Sequence, residues 1–270
     1  MPQGYGNRGS EYSIAGPWCL TVAININLIG KKVLITGATR GIGKAIAKKF
    51  IEAGATVFLT GTNEADIKQL TRKNKNPKVH WLQADFSTRE GIDSLISKLV
   101  SIDCIDICIN NAGINIIKPF EDYSKDEYES LLSVNLTAPF SLSQYLVAGM
   151  KERNFGRIVN VASIWSLITK PKRALYTTAK TGMLGFTRSL AIEYAPFNVL
   201  VNAVSPGFTY TELTKQSLSA DEMKELSQQI PTQRFANTDE IAMTVLFLCS
   251  DLNSYITGQN ITIDGGYTLV

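Results

Sequence analysis

The chain has 270 residues, 44% hydrophobic and 19% charged, with 27 basic against 24 acidic side chains and a formal net charge of +3. That length suits one α/β domain, the apolar content excludes a disordered chain, and so small a charge with no stripe of Lys and Arg argues against nucleic acid as a partner. No apolar run approaches the roughly 20 residues that a membrane-spanning helix needs, so no membrane partner is expected either.

His80 is the only histidine, which leaves little material for a His-based metal site or a Ser/His/Asp triad; no metal is expected. Cys19, Cys104, Cys108 and Cys249 form no CxxC pair and sit among apolar neighbours, as the reduced, buried thiols of a cytoplasmic protein do. The first 26 residues contain Gly4, Gly6, Gly9 and Pro17 and show no periodicity. They lack the apolar stretch of a secretion signal. We read residues 1–26 as an N-terminal extension to a single domain at 27–270 and expect the protein in the cytoplasm.

From Leu28 onward, strand, glycine-containing turn and helix repeat. This pattern predicts a doubly wound, Rossmann-type α/β fold, a parallel sheet of about seven strands with helices on both faces. Strands are predicted at Lys32 to Thr36, Thr56 to Thr60, Val79 to Leu82, Ile105 to Asn110, Arg157 to Val161, Leu200 to Val204 and Asn260 to Ile263. Helices are predicted at Gly43 to Ala53, from about Lys125 to Met150 with a bend or division, through Tyr176 to about Tyr194, and at Asp239 to Cys249. The polar stretch from about Thr209 to Gln233 exceeds an ordinary connection and reads as a lid.

The first turn, Thr36-Gly37-Ala38-Thr39-Arg40-Gly41-Ile42-Gly43, lies between a strand and a helix. Glycines there let backbone N–H groups and a helix N-terminus approach a pyrophosphate without Cβ interference, so the turn is a candidate dinucleotide site. Taken alone it is equally a tight strand-to-helix connection. Tyr176 and Lys180 stand four apart on a predicted helix and therefore share a face. An ammonium held near a phenol favours the phenolate and would bring the tyrosine toward a working proton donor or acceptor. On a surface helix the same pair is only a solvated face.

The Gly-x-x-x-Gly-x-Gly spacing, Asn110-Asn111-Ala112-Gly113 after the fourth strand, and Tyr176-x-x-x-Lys180 together resemble the short-chain dehydrogenase/reductase family over about Leu28 to Val270. The Asp264-Gly265-Gly266 ending and the Gly207 to Glu212 segment bring the pattern nearest to its 3-oxoacyl-(acyl-carrier-protein) reductases. The resemblance implies a catalytic set of Asn135, Ser163, Tyr176 and Lys180. In that family the tyrosine passes a proton to or from the substrate oxygen, and the serine holds that oxygen. The lysine supports the phenolate and meets the nicotinamide ribose, and the asparagine completes a proton path. It also implies cofactor contacts from Gly37, Thr39, Arg40, Gly41, Ile42 and Gly43 in the first turn, and from Asp85, Phe86, Asn111, Ala112 and Gly113 on the adenosine side. Pro206, Gly207 and Thr211 would meet the carboxamide end. Asp85 could equally serve the helix that follows it.

Charge argues for the form of the cofactor. A carboxylate at the end of the second strand suits NAD, and arginine suits the 2′-phosphate of NADP. Here Thr60-Gly61-Thr62 has glycine in the acidic place and Arg40 stands in the turn, so NADP is favoured over NAD, with Thr62 where a second basic residue would strengthen the preference. Trp165, Leu167 and Tyr210 could floor a substrate pocket, and Trp165 could equally pack beneath the lid. Lys170, Lys172 and Arg173 could face an anionic substrate or carrier; a solvated basic loop is the simpler reading.

The resemblance thus implies an NADP(H)-dependent enzyme that interconverts a carbonyl and a secondary alcohol, acting on a small or carrier-bound carbonyl compound as a homotetramer. Alternatives are a sugar or polyol dehydrogenase of the same family, and a nucleotide-sensing regulator on the same scaffold. The regulator would be expected to lack part of the catalytic set, and none is missing.

Overall fold

The computed structural model describes residues 25–212, 214 and 218–270. Most of the predicted extension, Cys19, and residues 213 and 215–217 of the predicted lid lie outside the described residues. The strands are β1 (Lys32–Ile35), β2 (Thr56–Gly61), β3 (Val79–Gln83), β4 (Ile107–Asn110), β5 (Gly156–Val161), β6 (Val199–Pro206), β7 (Thr209–Tyr210), β8 (Ala236–Asn237) and β9 (Asn260–Ile263). Seven of them form one parallel sheet in the order β3-β2-β1-β4-β5-β6-β9, and β7 pairs with β8 in a short parallel ribbon. The helices are α1 (Gly41–Glu52), α2 (Glu64–Lys73), α3 (Arg89–Val100), α4 (Lys125–Leu132), α5 (Ala138–Glu152), α6 (Ala174–Tyr194), α7 (Ala220–Gln228) and α8 (Thr238–Cys249).

Neighbouring side chains along a strand point to opposite faces, and here both faces are apolar. Val33 and Ile35 join Ile46, Phe50, Val57 and Val245 in a core beneath α1 and α8. Leu34 points the other way, into a second core with Phe58, Leu95, Leu142 and Ile158 beneath α3 and α5. Double coverage explains why β4, β5 and β6 are buried at every position. Leu28 is 2% exposed and belongs to the first core, so the packed fold already includes residues just ahead of β1.

Strand order reverses between β1 and β4, which pair through Val33 with Ile107 and Ile35 with Ile109. The chain winds from β1 outward to β3 on one side and from β4 outward to β9 on the other. A crevice therefore opens at the carboxyl ends of β1 and β4, where such sheets bind ligands.

Two further features aim side chains at this crevice. The helix predicted from about Lys125 to Met150 is divided: a π-helical turn, Ser133–Thr137, separates α4 from α5 and carries Asn135. A wider turn of this kind re-aims the side chains within it. A buried polar ladder fixes α6 to the sheet: Asn110 Nδ2 donates to Asn160 Oδ1 at 2.8 Å, Asn160 Nδ2 to Thr187 Oγ1 at 2.9 Å, and Thr187 Oγ1 to the Met183 carbonyl at 2.8 Å. With every member satisfied, such a network holds one arrangement of strands and helix.

Candidate active site

The turn after β1 is shaped by close approach. A Cβ on Gly43 would meet the Gly37 carbonyl oxygen and the Asn111 side-chain nitrogen at less than contact distance, so only glycine fits while α1 sits this close to the turn. Asn111 Nδ2 donates to the carbonyls of Thr36 (2.8 Å) and Gly37 (3.0 Å), and Thr36 Oγ1 accepts from the N–H groups of Asn111 and Ala112, each at 2.9 Å. These bonds lock the β1 and β4 ends together as one wall. Helix α1 has no acid in its first turn and no side-chain cap, whereas Asn63, Ser124 and Ser219 cap α2, α4 and α7. The positive end of α1 is instead met by Glu212, whose Oε2 accepts from Gly41 N–H at 3.2 Å.

A cleft of about 650 Å³ runs from this turn to the start of α6. At one end its walls carry Arg40, Ile42, Asn111, Gly113, Pro206, Gly207 and Thr211; at the other, Ser163, Trp165, Tyr176 and Lys180. Eleven of the expected catalytic, cofactor-binding and pocket-floor residues thus share one surface.

Lys180 is 2% exposed. Its Nζ donates to the Val161 carbonyl at 2.8 Å and stands 5.8 Å from the centre of the Tyr176 ring. Burial pushes this ammonium down to about 8. Burial also pushes the Tyr176 phenol above its ordinary range, outweighing the hydrogen bond to Ser163 and the positive charge of Arg173 that pull it down. The spacing of Tyr176 and Lys180 predicts a lowered phenol. The structure gives the opposite direction because loss of water dominates both groups and the ammonium is turned toward a backbone carbonyl.

Asn135 is fully buried and stands behind the cleft wall, outside its lining. It exchanges two hydrogen bonds with the backbone of Ile114: Ile114 N–H donates to Oδ1 at 2.9 Å, and Nδ2 donates to the carbonyl at 2.8 Å. It thereby fixes the segment after Gly113, whose backbone packs against both Asn135 and Lys180.

Other sequence candidates sit elsewhere. Gly37 and Gly43 shape the turn from behind, while Thr39 and Thr62 are exposed beside it. Gly41 and Tyr210 line an adjoining cavity of about 400 Å³ with Lys44, Lys48 and Asp239, so Tyr210 is not part of the cleft floor. Asp85 accepts from Ser87 N–H (3.0 Å) and Ser87 Oγ (2.7 Å), tying its own turn, and Thr88 caps α3. Phe86 is 4% exposed and packs in the second core, with Ala112 beside it. Leu167 is 49% exposed and lines a separate surface cavity. Trp165 lines the cleft and packs edge-on against Phe208, just ahead of the expected lid segment, with centroids 6.3 Å apart. Of the basic loop, Lys170 and Arg173 line the cleft; Lys170 and Lys172 are exposed, and Arg173 is half-buried. Glu212 and Tyr267 were not singled out from sequence, because an acid near a threonine and a tyrosine near the C-terminus carry no local signal.

His80 stacks on Phe58 on strand β3, away from the cleft. Among the described residues no group of acidic, histidine or cysteine side chains could hold a metal, and Cys104, Cys108 and Cys249 are free, burial pushing the Cys108 thiol up to about 12. No helix of the described residues is long and apolar enough to cross a membrane.

A family model described as enoyl-(acyl carrier protein) reductase matches residues 37–268. A 3-oxoacyl-(acyl-carrier-protein) reductase of Aquifex aeolicus is 42% identical over 247 residues, covering 90% of this chain and 99% of the relative. The chain belongs to the short-chain dehydrogenase/reductase family. An NAD-dependent glycerol dehydrogenase of Listeria innocua is 35% identical to this short-chain dehydrogenase/reductase, covering 91% of the chain and 96% of the relative. A gluconate 5-dehydrogenase structure from Burkholderia cenocepacia, in complex with NADP and tartrate, superposes with a TM-score of 0.84 at 28% identity, covering 91% of this chain and 98% of that one. This short-chain dehydrogenase/reductase is an oxidoreductase that uses NAD or NADP.

Proposed function

We propose that the chain interconverts a carbonyl and a secondary alcohol with NADP(H), acting as a reductase of 3-oxoacyl thioesters, and that Asn135, Ser163, Tyr176 and Lys180 carry the reaction. The observation behind this reading is the convergence of Ser163, Tyr176 and Lys180 at one end of a cleft whose other end is the glycine turn. A dinucleotide fits that turn: the backbone cradle at Gly43 leaves no room for a side chain, and the first turn of α1 lacks a cap of its own.

The bound nicotinamide supplies or accepts the hydride. Ser163 holds the substrate oxygen by hydrogen bonding. Tyr176 delivers a proton to that oxygen during reduction, and a phenol raised by burial is protonated and ready to donate at neutral pH. Lys180, once offered negative charge in the cleft, stabilises the phenolate left behind. Asn135 positions Gly113 and Ile114, and so the wall on which Lys180 rests.

Preference for NADP over NAD is supported by two features. Arg40 faces the cleft. A Cβ on Gly61 would lie 2.5 Å from Thr39 Cγ2 and 2.8 Å from Ile67 Cδ1, so the NAD-type carboxylate has no place without a shift. Homotetramer assembly is supported by exposed apolar side chains on α5 and α6, Phe140 (50%), Tyr145 (36%) and Ile192 (81%), which a partner would cover. We place the domain start near residue 27 and the protein in the cytoplasm.

A sugar, polyol or sugar-acid dehydrogenase is the second reading, favoured by Lys170 and Arg173 in the cleft wall. Purified protein assayed with NADPH and acetoacetyl-CoA, beside a panel of sugars, polyols and sugar acids with NADP⁺ or NAD⁺, separates the two. Turnover of the thioester supports the first reading. Turnover confined to the panel replaces it with the second.

A further inference from the structure

We propose that Arg173, with Lys170 beside it, anchors an anionic group of the substrate, a carboxylate or a phosphate, within the cleft that holds Tyr176. The inference rests on the reading of that cleft as the reacting site. Both basic side chains line it, together with Ser163 and Tyr176.

Their surroundings prepare them for a ligand. The Arg173 guanidinium carbon lies 4.6 Å from the centre of the Trp165 ring, and Lys170 Nζ lies 5.7 Å from the same ring and 5.6 Å from that of Tyr267. Stacking engages the flat face of a guanidinium and leaves its in-plane N–H donors free to grip two oxygens. Among the described residues, no hydrogen bond or ion pair engages the side-chain nitrogens of Arg173 or Lys170. Arg173 is half-buried, and the groups that act on its charge are the phenols of Tyr176, Tyr123 and Tyr267, with no carboxylate among them. A partly desolvated cation without a counter-ion is costly to keep. Occupation by an anion removes that cost.

The backbone adds a second observation. Lys172 adopts φ 68°, a left-handed conformation unusual for a residue with a side chain. Its carbonyl accepts from Lys118 N–H at 3.2 Å and from Tyr123 Oη at 3.3 Å, contacts that hold the strained turn in place. The turn delivers Arg173 to the cap position of α6, three residues before Tyr176. At that spacing the two side chains meet on one side of the helix. The anion therefore sits close to the oxygen that Tyr176 serves, which points to a compound with its charge a few bonds from the reacting carbon.

Matched substrates test the proposal. In one pair acetoacetate is compared with its methyl ester; in the other, acetoacetyl-CoA with acetoacetyl-N-acetylcysteamine, which lacks the phosphates. We expect the charged member of the first pair to show a kcat/KM roughly 10- to 100-fold higher, chiefly through KM, the range for a charge-assisted contact. The ratio should fall toward one in Arg173→Gln and be partly kept in Arg173→Lys. A ratio confined to the first pair assigns the anion to the carboxylate of a small acid; one confined to the second, whose phosphates lie many bonds from the carbonyl, overturns the placement beside Tyr176. Equal kcat/KM within both pairs overturns the proposal. Calorimetric titration of acetoacetate into the protein with NADP⁺ supplies a readout without turnover. Binding to the natural protein that is lost in Arg173→Gln supports the anchor, even where no 3-oxo compound is reduced and the reductase reading fails. Binding equal in both, or absent from both, overturns it.

Discussion

Replacing Lys180 by methionine removes the most completely buried cation of the cleft, and the structure fixes how the stability change depends on pH. The lysine is taken from an ordinary value of 10.5 to about 8 by burial. A folded-state value below the unfolded one means that the unfolded chain binds more protons between the two values, so stability rises with pH across that window. Below about pH 8 the whole cost of the buried charge is present, about 3 kcal/mol at 1.36 kcal/mol per unit; by about pH 9.5 near 1.4 kcal/mol of it remains. The lost hydrogen bond to Val161 costs Lys180→Met about 1 kcal/mol at any pH. The variant should therefore gain about 2 kcal/mol over the natural protein at about pH 6.5 and close to nothing at about pH 9.5. Urea unfolding followed by circular dichroism at both pH values, at one protein concentration, measures the difference. A difference that does not change with pH would refute the claim that Lys180 is a desolvated cation. Activity of the same variant should be lost at every pH.

Other changes reach separate parts of the cleft. Arg40→Ala should raise KM for NADPH roughly tenfold or more while altering that for NADH less than about threefold; equal losses would mean that Arg40 does not meet a 2′-phosphate. Gly43→Ala forces a methyl group against the Gly37 carbonyl and Asn111; thermal unfolding should show a loss of about 1–3 kcal/mol, accompanied by weaker nucleotide binding. Glu212→Gln removes a negative charge from the Gly41 N–H, where an anionic cofactor would compete with it. Fluorescence titration should then show NADP binding tightened by about twofold to fivefold, the range of a charge at a helix end, and weaker binding would contradict that competition.

Much of the fold is legible in the sequence because double coverage leaves a strong mark: β4, β5 and β6 are rich in Ile, Val and Leu and lack a strict apolar-polar alternation, and glycines punctuate several of the strand-to-helix turns. What stays hidden has particular causes. Helix α2 buries only Ile67 and α7 buries no residue, so each carries only two large apolar side chains, Ile67 with Leu70 and Met223 with Leu226, on a short and otherwise polar segment. Helix α3 does carry Ile92, Leu95 and Leu99 at helical spacing behind a Thr88 cap, a signal sufficient to locate it.

The candidate site divides the same way. Its composition follows from motif order, and Ser163, Tyr176 and Lys180 meet at one end of a cleft whose other end opens where the strand order reverses. Its electrostatics do not follow, because spacing along a helix says nothing about desolvation; burial raises Tyr176 against the expectation and lowers Lys180. The place of Arg173 depends on the left-handed turn at Lys172, which a lysine gives no reason to expect. Tyr210 follows an analogous rule: adjacent residues of a strand alternate, and Thr209 is the buried member of that pair.

The central claim is that Tyr176 passes the proton that accompanies hydride transfer in this cleft. Its most direct test is the steady-state oxidation of NADPH by acetoacetyl-CoA with Tyr176→Phe, which keeps the ring and removes only the hydroxyl. The account predicts a fall in kcat/KM of about 10²- to 10⁴-fold, the usual contribution of a general acid, with NADPH binding retained. Full activity in the phenylalanine variant would contradict it.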